Sequence, residues 1–219
     1  MPAYNYPHYP FQHCPEQDGA RPRHPVAIAG GGPVGLTAAL QLGAYGIRTI
    51  VFEDSDTVSE GSRALCWAKR SLEILDRFGV TDRMVRKGYT WNAGRVFHGD
   101  AELYRFDLQP QGRQKHPAFT NLQQYYAEEY MLEAVQRQPL IELRWQSKVV
   151  GAREDGDRVT LTIETPEGRY DTEAEYVIAA DGARSSGRRA LGLDFAGKVF
   201  EDHFLIADVD GHDDLPSAD

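Results

Sequence analysis

The turn Gly30-Gly31-Gly32-Pro33-Val34-Gly35, directly after the apolar run Val26-Ala27-Ile28-Ala29, constrains this chain more than any other feature. A short, unbroken apolar run of this kind makes a strand buried on both faces. Beyond the glycines, Val34, Ala38, Leu42 and Tyr45 recur at helical spacing, and Gly46 supplies a stop. Residues 48–53 read as a second strand that ends in the carboxylate of Glu53. Together these pieces make a Rossmann-like β-α-β unit, the context in which a GxGxxG turn carries meaning. Gly30 permits the tight turn, Gly32 lets the backbone approach a pyrophosphate, and Gly35 lets helix and strand pack closely. The helix N-terminus, beginning at Pro33, offers unpaired N–H groups and the positive end of its dipole to phosphates. Glu53 is placed to accept hydrogen bonds from an adenosine ribose and disfavours a 2′-phosphate. The turn therefore fits FAD or NAD better than NADP.

The rest of the chain reads as an α/β arrangement with β insertions. A loop over 54–63 leads to a helix over 67–78, with Leu72, Leu75 and Phe78 on its apolar side and Gly79 as its stop. Strands at 94–98 and 102–108 turn at Gly99-Asp100, and a helix over 123–138 ends at Pro139. A strand follows at 141–145. Segments 148–154, 159–164 and 169–175 alternate apolar and polar residues, with turns at Asp155-Gly156 and Glu167-Gly168. That pattern predicts an antiparallel meander inserted between elements of a parallel sheet. A continuous apolar strand at 176–180 then reaches Asp181-Gly182, followed by a short helix around 185–191 and a further strand at 204–209. Residues 1–24, rich in Pro, Tyr and His without period, form an irregular extension laid over the domain by its tyrosines. The expected organisation is this extension, a cofactor domain over 25–195 with β insertions near 92–108 and 148–175, and the start of another domain over 196–219.

A net charge of -9 argues against nucleic acid and anionic membrane as partners, since both attract basic surfaces. No apolar run approaches the roughly 20 residues that cross a bilayer, and the first residues lack the layout of a secretory signal. Cys14 and Cys66 are too few for a disulfide framework and lack metal-ligand spacing, so they read as inert thiols in a reducing cytoplasm. His8, His13 and His24 are irregularly spaced on a proline-broken backbone and read as solvated side chains, with no metal site.

The choice between FAD and NAD turns on a second segment, Tyr176-Val177-Ile178-Ala179-Ala180-Asp181-Gly182-Ala183-Arg184-Ser185-Ser186-Gly187-Arg188. It resembles the second fingerprint, DGxxSxxR, of the class A flavoprotein aromatic hydroxylases, the para-hydroxybenzoate hydroxylase-like family. Asp181, Gly182, Ser185 and Arg188 fall on the matching positions. In that family the segment lies near the flavin pyrophosphate and is implicated in handling the nicotinamide cofactor. Here an Asp can accept hydrogen bonds, a Gly permits close approach, and an Arg brings positive charge to an anionic cofactor. Residues 62–75 resemble the family's loop and helix after the second strand, where an Arg, matched by Arg63, lies against the cofactor. Residues 121–130 resemble the helix whose leading Gln contacts the flavin side. Gln124 matches it, which brings Glu128 onto the family's helix Glu, with Gln123 as the rival alignment. The stretches around 90–94 and 104–108 are most similar to the branch acting on phenolic acids such as 3-(3-hydroxyphenyl)propionate.

The resemblance covers about residues 25–210. It implies a Rossmann-like FAD-binding domain with a parallel sheet and inserted meander, plus the start of a substrate-domain sheet. Family members continue with more substrate-domain strands and a third fingerprint, Gly-Asp followed by Ala and His. Gly99-Asp100 sits in an early hairpin and is not its counterpart, so an incomplete chain is expected. The implied activity is hydroxylation of a phenolic or other aromatic acid by FAD and O2, with NAD(P)H as a transient co-substrate and a homodimer as an allowed assembly. The cofactor-binding candidates are Gly30, Gly32, Pro33, Gly35, Glu53, Arg63, Gln124, Asp181, Gly182 and Arg188. No residue is assigned a catalytic role, because the hard chemistry would belong to the cofactor. A non-catalytic FAD-binding module and another FAD- or NAD-dependent oxidoreductase are the alternative readings.

Overall fold

The computed structural model describes residues 4–61, 63, 65–91, 93–108, 114–198, 200, 201 and 203. The first strand, β1 (Arg23–Ala29), enters the glycine turn and passes into α1 (Pro33–Ala44) and β2 (Thr49–Phe52). Next come β3 (Cys66–Ala68), α2 (Lys69–Asp76), α3 (Thr81–Lys87), β4 (Tyr89–Trp91), and the hairpin β5 (Ala93–His98) and β6 (Ala101–Asp107). The chain continues through β7 (Phe119–Asn121), α4 (Gln124–Gln136), β8 (Ile141–Arg144), β9 (Lys148–Asp155), β10 (Arg158–Thr165), β11 (Gly168–Ala179) and α5 (Ser186–Ala190).

The main sheet runs β8-β2-β1-β11-β10-β9. Its first four strands are mutually parallel, and β11, β10 and β9 are antiparallel. Alternation along β1 explains why its whole run is apolar. Val26 and Ile28 pack toward Ala39 of α1, whereas Ala27 and Ala29 pack with Ile50, Phe52, Leu161 and Ile163 on the other side. Leu36 and Leu40 of α1 join Leu72, Met84, Leu122 and Met131 in a second core among the helices. Stacked parallel strands and covering helices leave the strand C-terminal ends open, which is where ligands bind in such sheets.

Several boundaries differ from expectation. The meander strand over 169–175 and the apolar strand over 176–180 are one strand, β11. It pairs antiparallel with β10 from Gly168 to Ala174 and parallel with β1 from Glu173 to Ala179. No turn residue interrupts the run, so the chain stays extended and the meander becomes the far edge of the main sheet. The helix expected over 67–78 begins at Lys69, because Cys66–Ala68 pairs with β7 instead. With β4 on the other side of β7, these three-residue strands form a small sheet of their own. The strand expected over 204–209 lies outside the described residues.

Residues 4–22 are irregular apart from a 3-10 turn, Pro15–Asp18, yet they are held firmly. Tyr4, Tyr6 and Tyr9 pack against the helical core, as the aromatic content of the extension suggests. His24 is not solvated. It sits in β1 with its side chain largely covered, 3.3 Å from the buried carboxylate of Glu16. His8 and His13 are exposed, as is Cys66, while Cys14 is buried. Among the described residues no helix is long and apolar enough to cross a membrane, and no group of three or more His, Cys, Asp or Glu could hold a metal.

Candidate cofactor site

The four glycines of the turn do different work. Gly30 has φ +99°, and a Cβ there would stand 2.5 Å from the carbonyl oxygen of Ala180. Its N–H donates to the Phe52 carbonyl at 2.8 Å, so this residue sits where β1, β2 and β11 converge. At Gly35 a Cβ would overlap the Gly30 carbonyl oxygen, which is the close helix-strand approach the spacing predicts. Gly31, to which the sequence attached no role, donates its N–H to Glu53 Oε2 at 2.6 Å. Gly32 is the N-cap of α1, and a Cβ there would meet nothing within 4 Å. With Pro33 at the first helical position and no side-chain cap, the orphan N–H groups of the first turn face this open space.

Glu53 lies between two clefts that flank the turn. Its second oxygen accepts from the Ser55 N–H at 3.0 Å. Burial pushes the Glu53 carboxyl up to about 7; the Ser55 and Gly31 N–H groups work against this, and neighbouring Asp54 adds to it. The first cleft, about 360 Å³, brings together Gly32, Glu53, Arg63, Gln124 and Glu128 with the 55–60 loop. Glu128 is buried and organises this cleft. Its Oε2 accepts from the Ser59 N–H at 2.6 Å and its Oε1 from the Gln124 side-chain amide at 2.8 Å. Gln124 is therefore the glutamine at the cleft, while Gln123 is the exposed N-cap of α4.

The second cleft, about 340 Å³, is lined by Gly30, Gly32, Glu53, Asp181 and Gly182. Asp181 Oδ2 accepts from the N–H groups of Ser186 and Gly187, at 2.5 and 3.1 Å, and so caps α5. Burial opposes its ionisation, but the Ser185 hydroxyl and the Gly187 and Ser186 N–H groups outweigh it and hold the carboxyl below its usual range. Asp181 Oδ1 is buried with no hydrogen-bond partner among the described residues. Gly182, at φ +71°, makes the turn into α5. Arg188 lines neither cleft. Its guanidinium donates to the Ala183 carbonyl at 3.0 Å and lies over the Phe195 ring. Arg184 and Lys148 line the second cleft instead, and sequence reasoning missed both. Arg184 lies inside the DGxxSxxR segment, a signal that could have found it; Lys148 begins a strand and carried none.

An open backbone surface at Gly32, an uncapped helix start, a carboxylate shared by both clefts and an orphaned Asp181 oxygen suit an extended, anionic dinucleotide. Comparison with known proteins agrees. Residues 23–218 match the family model described as an FAD binding domain. The chain is 34% identical over 191 residues to a 3-(3-hydroxy-phenyl)propionate/3-hydroxycinnamic acid hydroxylase of Burkholderia cenocepacia, covering 86% of this chain and 35% of the relative. It is 30% identical over 187 residues to a para-nitrophenol 4-monooxygenase of a Pseudomonas species, covering 84% of this chain and 46% of the relative. Among solved structures it superposes on p-nitrophenol 4-monooxygenase of Pseudomonas putida with a TM-score of 0.75 at 34% identity, over 83% of this chain and 46% of that one. A flavin-dependent monooxygenase, PieE, solved with FAD and substrate, gives a TM-score of 0.73 at 28% identity, over 82% and 34%. The chain thus spans between a third and a half of the length of these relatives. Its fold, its glycine turn and a match over 23–218 place the chain in the FAD binding domain family shared with the flavin-dependent aromatic hydroxylases.

Proposed function

We propose that this chain holds the FAD of a monooxygenase that hydroxylates a phenolic or related aromatic acid, using NAD(P)H and O2. The observation that carries this reading is the open backbone at Gly32 above the uncapped start of α1, beside Glu53. Gly32 and the first turn of α1 would hold the pyrophosphate through N–H groups and the helix dipole. Glu53 would accept from the adenosine ribose, with Gly31 keeping one of its oxygens in place. Arg63 and Gln124 would contact the cofactor from the first cleft, and Asp181 and Gly182 from the second. The flavin, when bound, supplies hydride acceptance and oxygen activation, so the chain's own part is binding, orientation and exclusion of water.

Flavin absorbance of the purified chain, followed by titration with FAD, tests the reading. Uptake near one FAD per chain is expected, and failure to take up FAD would refute it. Oxidation of NADH or NADPH, stimulated by a 3-hydroxyphenyl acid with hydroxylated product formed, is the result expected of the hydroxylase reading.

A further inference from the structure

The family match begins at residue 23, so the extension lies outside the matched residues. The extension lies against one wall of the first cleft, the irregular loop over 54–61. Tyr9 donates its backbone N–H to the Asp56 carbonyl at 2.7 Å, and His8 Nδ1 lies 3.1 Å from Asp56 Oδ2. The Tyr6 hydroxyl accepts from the Gly61 N–H at 3.2 Å. The Tyr9 ring stacks on Trp145, with centroids 4.2 Å apart and planes 4° from parallel, and the Gln146 side chain donates to the Tyr9 carbonyl at 3.2 Å. Tyr4 stacks on Tyr125 and donates to Glu129 of α4 at 3.0 Å, so the outer end is fixed as well.

On the inner side, the same loop meets the cleft. Ser55, Thr57, Ser59 and Glu60 line it, and the Thr57 and Ser59 hydroxyls are buried with no hydrogen-bond partner among the described residues. The loop is tied to the domain body by the Ser59 N–H to Glu128, the Ser55 N–H to Glu53, the Gln146 N–H to the Ser55 carbonyl and the Lys148–Asp54 ion pair, and Val58 is buried in the helical core. An irregular loop of this kind would otherwise lose conformational entropy each time a ligand ordered it.

We propose that residues 4–18 are a strap that holds the 54–61 wall in its ligand-ready shape, with Tyr6 and Tyr9 as its positioning residues. The strap acts through the loop: it supplies the ordering before the cofactor arrives and thereby slows cofactor loss. The link to cofactor rests on the FAD reading above; the ordering of the loop does not.

Hydrogen exchange on the whole cofactor-free chain tests the ordering, and FAD titration of the same variants tests its consequence. Tyr9→Ala removes the stack on Trp145, and exchange over 54–61 should quicken by roughly tenfold while β1 and β2 keep their protection. Tyr6→Phe deletes one acceptor and should quicken exchange near Gly61 by about threefold. Tyr9→Phe keeps the ring and should behave as the unaltered chain. FAD affinity should weaken by similar factors in the first two variants and stay unchanged in the third. Unchanged exchange over 54–61, or equal acceleration in β1 and β2, would overturn the strap. Quickened exchange with unaltered FAD affinity would overturn its role in retention. An unaltered chain that takes up no FAD would refute the cofactor reading alone, since the exchange data decide the strap separately.

Discussion

Gly32 and Gly35 stand three residues apart in one turn, and substitution should separate their roles cleanly. At Gly32 the backbone is extended, with φ −74° and ψ −175°, and the space beyond is open. Gly32→Val should therefore fold with an unchanged melting temperature and lose FAD uptake, because the side chain fills the approach to the helix start. At Gly35 a methyl group would overlap the Gly30 carbonyl, so Gly35→Ala should cost about 3 kcal/mol in urea unfolding. Equal losses of stability in the two variants would contradict this division. Glu53 provides a pH test. Its carboxyl is raised from 4.5 to about 7 by burial. Below pH 4.5 folded and unfolded chains both keep the proton. Between 4.5 and 7 the unfolded chain releases it while the folded chain holds it, so the stability of the cofactor-free protein falls as pH rises through that window. Glu53→Gln should remove this part of the fall, seen as a flatter plot of unfolding free energy against pH.

Element-scale behaviour depends on whether an element's cause is local. The glycine-turned meander was legible because Asp155-Gly156 and Glu167-Gly168 are turn signals between alternating runs, and β9, β10 and β11 follow them. The joining of two expected strands into β11 was not, since pairing with β10 and then β1 decides it. The three-residue strands β3, β4 and β7 exist only by pairing with one another, and α3 is too short to show a period. The helix α5 starts at Ser185-Ser186-Gly187 with its first N–H groups capped by side chains. The Ser185 hydroxyl accepts from the Arg188 N–H at 2.9 Å, and Asp181 takes the Ser186 and Gly187 N–H groups. Asp181→Ala should cost about 1 kcal/mol, with faster amide exchange concentrated in α5. Loss of protection spread over β1 and β11 would show that the cap is not its main role.

For the whole molecule, the extension is tied down at its inner end by a buried ion pair. Glu16, with no exposed side-chain surface, lies 2.9 Å from Arg144 of β8, whose guanidinium also reaches the Tyr170 hydroxyl at 3.1 Å. Burial opposes ionisation of Glu16, but the Arg144 guanidinium beside it holds the carboxyl below its usual range. The carbonyl of Arg144 accepts from the Glu53 N–H at 2.9 Å, so the pair stands one backbone hydrogen bond from Glu53. Glu16→Ala would leave Arg144 mostly buried with exposed Glu142 as its remaining carboxylate, and a loss of about 3 kcal/mol is expected in urea unfolding. Arg144→Met added to Glu16→Ala should recover part of that loss; no recovery would show that the buried charge is not what costs stability.

The sequence by itself determined the β-α-β unit, the glycine turn and the carboxylate after it. Their causes are steric and periodic, and they are complete within about thirty contiguous residues. It also singled out Asp181-Gly182 and Gln124, through resemblance to a family pattern. Only the tertiary structure decided that Gly31 steadies Glu53, that Arg184 rather than Arg188 faces a cleft, that His24 is covered, and that the extension is bonded to the 54–61 loop. Each of these rests on a contact between residues far apart in the chain, or on which way a side chain points once its backbone is packed, and neither has a local pattern to read.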